Sequence, residues 1–152
     1  MSSTIAYQIA LLAITLWREA RGEGYAAQVG VAMSMMNRVA KPSWWGSDIE
    51  EVLTKKWQYS SMTDPADGQL TKWPKTSEPV FQNCLEIASR AVAGTLQGGF
   101  RGADSYYEDS LQGDARPKWA KEHPERFVGK LGKLNFYNMD MDVEDVPMSE
   151  VS

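Results

Sequence analysis

Ile5, Ile9, Leu12 and Leu16 recur at intervals of four, three and four, and Glu19 follows three residues later. That spacing aligns side chains on one face of a helix, so the pattern predicts a helix over about 4–21 that breaks at Gly22-Glu23-Gly24. Val29, Ala32, Met33, Met36 and Val39 form the apolar face of a second helix, about 25–39, with methionine acting as core filler. Pro42 to Gly46 reads as a loop displaying Trp44 and Trp45. Ser47 and Glu50 have capping-box spacing and start a third helix through about Lys55. Pro79 suits the first position of a fourth helix running to about Leu96 and closed by Gly98-Gly99. Short strands are expected around Ser105 to Tyr107, with a hairpin through Phe127-Val128 and Asn135 to Tyr137. The expected class is mainly α (α+β), a helical domain with a small β-hairpin element.

Glu19 is the one acidic residue on its stripe, so its carboxyl points where the core should be. Burial and the negative end of a helix both penalise a carboxylate's charge, and a carboxyl that keeps its proton serves as a general acid. Arg18 and Arg21 are one and two positions away, and such neighbours do not face each other on a helix. Glu23 lies on the same face if the helix continues past Gly22, which makes it the candidate second carboxylate.

With 152 residues, of which 43% are hydrophobic, the chain is long enough for one domain with its own core. Residues 1–138 are expected to form it. The stretch 139–152 carries five acids and no Lys or Arg and reads as a flexible acidic tail. A net charge of −4 gives no support for nucleic-acid binding. A local run of Arg116, Lys118, Lys121, Arg126, Lys130 and Lys133 could face anionic groups or simply be solvated. The apolar stretch from Ile5 to Trp17 is too short to span a bilayer and has no basic leader, so neither an integral membrane segment nor a signal peptide is expected.

One Cys and one His are too few for a catalytic zinc site, and neither a metal nor a cofactor is implied. Cys84 and His123 could instead form a peptidase or amidase pair. Cys84 falls inside the fourth helix with Val80, Ala88 and Ala91 on its face, which favours a buried, inert thiol. Six Trp and six Tyr are many for this length, and their faces stack on sugars. Trp44, Trp45, Trp57, Tyr59, Trp73, Tyr106, Tyr107 and Trp119 are candidates for a glycan groove, with about half expected to line it.

The segment EARGEGYAAQVGVAMSMMNRV, residues 19–39, resembles the signature of the SleB/CwlJ-type cell wall hydrolases: Glu-Ala-Arg-Gly-Glu, then Gln-x-Ala/Gly-Val-Ala, then Asn-Arg-Val. Trp57-Gln58-Tyr59-Ser60 is similar to that family's Gln-Phe-Ser element. Three later elements, Gly102 to Tyr107, Pro117 to Ala120 and Gly132 to Tyr137, resemble its remaining landmarks in order, so the likeness covers about 5–138. Two family histidines are replaced, one by Ser105 and the other, about there, by Leu134 or Asn135.

The resemblance implies a lysozyme-like fold and an enzyme that cuts peptidoglycan glycan strands, usually as a lytic transglycosylase, with Glu19 as general acid/base. It implies substrate contacts from Gln58, Tyr59 and Ser60, to which Trp57, Tyr106, Tyr107 and Trp119 are added; a Gln58 amide could position an N-acetyl group or the glycosidic oxygen. A hydrolytic muramidase, an N-acetylmuramoyl-L-alanine amidase and a non-catalytic wall-binding or particle-structural module are the alternatives. Without a leader, the expected setting is a monomeric bacteriophage endolysin made in the host cytoplasm and reaching the periplasmic wall after holin-type release.

Overall fold

A computed structural model describes residues 3–56 and 58–139, so Trp57 and the tail from 140 onward lie outside the described residues. Helix α1 (Ile5–Ala20) starts at Thr4, whose hydroxyl accepts the Tyr7 amide at 3.2 Å. Its stripe enters the core only in the second half: Leu12 and Leu16 are fully buried, whereas Ile5 is 67% exposed. Helix α2 is Tyr25–Ala40, α3 is Ile49–Thr54, α4 is Ser60–Thr63, α5 is Pro79–Ala93 and α6 is Lys118–Glu122. No helix among the described residues is long and apolar enough to cross a membrane.

Helix α1 makes its most extensive contact with α5, and α2 and α3 pack against both α1 and each other. The strands β1 (Ser105–Glu108), β2 (Phe127–Leu131) and β3 (Leu134–Tyr137) form an antiparallel sheet in the order β1-β3-β2. The expected hairpin is therefore two thirds of a three-stranded sheet. It docks on α2 at Gly30, where a Cβ would stand 2.8 Å from both Leu131 Cδ1 and Phe136 Cζ. A side chain there would push sheet and helix apart.

Several local expectations are corrected. The cap of α3 is Asp48, which accepts the Glu51 amide at 2.8 Å; Glu51 in turn accepts from the Ser47 hydroxyl at 2.7 Å. The cap is displaced by one residue, and the Glu51 side chain reaches back to Ser47, the residue before the cap. Helix α5 stops at Ala93, because Gly94 adopts the left-handed conformation (φ 77°) and lets the Thr95 amide close on the Arg90 carbonyl at 2.9 Å. Helices α4 and α6 were not expected. At four and five residues they are too short to show a period. Next to the expected domain end at 138, the Met139 amide bonds the Asp104 carboxylate at 3.0 Å, which leaves that boundary as an expectation.

Candidate active site

The end of α1 decides where the site lies. Arg21 caps the helix, and the side-chain amide of Gln28 on α2 clasps the turn by donating to the carbonyls of Ala20 (3.2 Å) and Glu23 (3.0 Å). Glu19 is thus on the last turn, half-buried, and faces a cleft of about 450 Å³ lined also by Arg38, Trp44, Trp45, Gln58, Tyr59, Ser105, Tyr106, Trp119 and Met139. Glu23 lies beyond the helix and is not among the lining residues, so the register from which it was inferred is lost.

Two hydroxyls hold Glu19. Tyr106 donates to Oε1 at 2.6 Å and Ser61 donates to Oε2 at 2.7 Å. Hydroxyls can donate or accept, so this pair serves the carboxyl in either protonation state. The phenol end of Tyr106 is buried, although the residue as a whole is half-buried. Desolvation and the Glu19 charge push its ionisation well above the usual value of 10, so it stays a neutral donor. Tyr59 is buried too, and desolvation raises its phenol to about 12 against the opposing pull of Arg38.

The far wall hangs on the end of α2. Asn37 donates to the carbonyls of Phe100 (3.1 Å) and Ala103 (2.8 Å), which fixes the chain entering β1 and so the place of Tyr106. Arg38 donates through Nε to the Asp104 carbonyl at 2.7 Å and through Nη1 to Gln58 Oε1, and its guanidinium lies over the rings of Trp45 (5.1 Å) and Tyr59 (5.3 Å). Gln58 spends its amide on Arg38 and on the Trp45 carbonyl (2.7 Å), which makes it a brace of the wall.

Of the eight aromatic candidates, Trp44, Trp45, Tyr59, Tyr106 and Trp119 line the cleft. Tyr107 alternates to the other face of β1, against Trp119 and Tyr137, and Trp73 stands outside the cleft; Trp57 is not among the described residues. Ser60 is exposed and donates to Asp67 at 2.6 Å, so its neighbour Ser61 is the serine that meets Glu19. Ser61 and Arg38 were not singled out from the sequence. Arg38 stands in the Asn-Arg-Val element, whereas Ser61 had no signal of its own.

This geometry can be set beside known proteins. The profile of the Cell Wall Hydrolase family matches residues 22–137. The chain belongs to the cell wall hydrolase family. A curated relative, the spore cortex-lytic enzyme of Halalkalibacterium halodurans, is 30% identical over 132 residues, which is 86% of this chain; the chain spans about a third (34%) of that relative's length. Two solved structures share the fold. The catalytic domain of the germination-specific lytic transglycosylase SleB from Bacillus anthracis aligns with a TM-score of 0.64 and 24% identity, over 90% of this chain and 96% of that one. The catalytic domain of the Bacillus cereus SleB protein aligns with a TM-score of 0.61 and 24% identity, over 87% and 90%. The expected mainly helical, lysozyme-like class with a small β element is the one found.

Within this family member, Ser105 stands where a family histidine was expected. It lines the cleft and donates to Asp104 Oδ1 at 2.8 Å. The Cys-His alternative fails on burial: Cys84 is fully buried with its thiol pushed up to about 11 by desolvation, while His123 is exposed and pairs with Glu125 at 3.1 Å.

Proposed function

We propose that this domain cleaves the glycan strands of bacterial peptidoglycan between N-acetylmuramic acid and N-acetylglucosamine, with Glu19 as general acid and then base. The observation that carries the reading is the single carboxylate among the cleft-lining residues, held by two hydroxyls and flanked by aromatic rings. Glu19 would protonate the glycosidic oxygen as the C1–O bond breaks with oxocarbenium-like character. The resulting carboxylate would take the proton of the muramoyl 6-hydroxyl while that oxygen bonds C1. Atoms then balance without water, and the product is a 1,6-anhydro end. Hydrolytic mechanisms use a second carboxylate. Asp104, the nearest buried acid to this wall, has its carboxylate engaged by Ser105 and the Met139 amide, which favours the lytic transglycosylase route.

Substrate contacts are assigned to Tyr106, Trp44 and Trp119, which line the cleft. The setting is a separate proposal. The curated relative is named for the spore cortex, so cortex peptidoglycan is the first substrate to assay, ahead of the wall met by a phage endolysin after holin-type release.

The test is the mass of products from purified sacculi. Anhydro ends support the proposal. Products heavier by one water would make the enzyme a hydrolytic muramidase, and freed stem peptides would make it an amidase. Glu19→Gln keeps the shape but cannot deliver a carboxyl proton, so cleavage should vanish while folding and sacculus binding persist. Unchanged cleavage would remove Glu19 from the mechanism.

A further inference from the structure

Arg18 immediately precedes Glu19, and its guanidinium is packed into the protein: the residue is 6% exposed. On a helix of 3.6 residues per turn the two side chains diverge by about 100°. Arg18 therefore reaches a different neighbour. Its Nη1 donates to the Ser61 carbonyl (3.1 Å) and to Met62 Sδ (3.2 Å), and its Nε donates to the Lys72 carbonyl (3.1 Å). The Trp73 ring covers the guanidinium at 4.6 Å. One side chain thus grips both ends of the segment 61–73.

That segment returns to the carboxyl. Ser61 is buried, its carbonyl is held by Arg18 and its hydroxyl donates to Glu19 Oε2. Desolvating a guanidinium is costly; the Asp67 charge offsets part of that cost, and Nη2 is buried with no hydrogen-bond partner. A methionine of similar reach would fill the space without that penalty, at the cost of the donors to the Ser61 and Lys72 carbonyls. The charge is better explained by the geometry it imposes than by stability.

We propose that Arg18 is a positioning residue for the Glu19 carboxyl, acting through Ser61. By tying the Ser61 and Lys72 carbonyls to α1, it fixes where the Ser61 hydroxyl meets Glu19 and so how the acid is aimed into the cleft. A misplacement of about 1 Å costs on the order of 100-fold in rate, which sets the scale of the effect. The inference rests on the glycan-cleaving reading.

The experiment measures kcat and KM on sacculi, with melting curves, for wild type, Ser61→Ala, Arg18→Met, Arg18→Lys and the Arg18→Met/Ser61→Ala double variant. Each single loss of Arg18 or Ser61 should lower kcat about 10- to 100-fold with KM nearly unchanged. The double variant should be no slower than the slower single, because both changes remove the same constraint. Arg18→Lys should recover part of kcat.

Losses that multiply, or an Arg18→Met enzyme that melts earlier yet keeps wild-type kcat well below its melting point, would overturn the proposal. If Arg18→Met does not fold, the same cycle is run with Arg18→Lys. A fully active Glu19→Gln control would remove Glu19 from the mechanism and with it the acid this inference rests on; an inactive control with multiplying losses would sink only the role of Arg18.

Discussion

Tyr106→Phe removes one oxygen and keeps the ring that packs 5.8 Å from Phe136. What is lost is the 2.6 Å bond to Glu19 Oε1. In the proposed reaction Glu19 becomes a carboxylate as it gives up its proton, and hydrogen bonds to charged groups contribute about 1.5–3 kcal/mol. If the whole of that is spent on holding the acid in its reactive orientation, kcat falls roughly 10- to 150-fold. The same bond also supports the fold, and at about 2–4 °C per kcal/mol for a chain of this size the melting temperature should drop by roughly 3–12 °C. KM should move little, since the ring still faces the sugar. Because the phenol ionises well above 10, its titration contributes no limb to the activity profile below about pH 10. The assay is turbidity clearing of sacculi at several concentrations, with circular dichroism melts. A folded variant with wild-type kcat would refute the claim that this hydroxyl aims the acid.

Two further outcomes are expected from groups away from the carboxyl. The Asp67 carboxylate is held below its usual 3.8, chiefly by the Ser60 hydroxyl and the Gln69 amide. A depressed carboxyl adds stability that is complete above its unfolded value and disappears as pH falls through the folded one, so Asp67→Asn should melt below wild type at pH 7 and converge with it as the pH falls below the lowered folded value. The site is partly exposed, so a gap above about 4 °C at neutral pH would contradict a contribution of under about 1 kcal/mol. Cys84, buried with its thiol near 11, should resist an aromatic disulfide reagent at pH 8 until the protein unfolds. Rapid labelling of the native protein would show that α5 opens.

Long-period features were readable from the chain because they depend on side-chain identity at fixed spacing. The stripe ending in Glu19, the start of α2 at Tyr25 and Pro79 at the head of α5 are all of this kind. Ends were less readable. Gly94 and the pair Gly98-Gly99 offer the same local chemistry, and only packing of α5 against α1 and α2 selects the first. The shift of the cap from Ser47 to Asp48 has the same origin, since both residues can accept an amide.

The chain by itself determined that an acidic side chain ends an otherwise apolar helix face, in a domain rich in aromatic rings. Which groups surround that acid was decided in three dimensions. Ser61 rather than Ser60 meets Glu19 because α4, a single short turn, rotates consecutive residues apart, and Tyr106 reaches it from 87 positions away because β1 pairs with β3. Gln58 lines the cleft and also braces its wall, accepting from Arg38 and donating to the Trp45 carbonyl. Periodicity reports which face a residue occupies. Hydrogen bonds between distant segments depend on how the faces are brought together, and no local spacing encodes that.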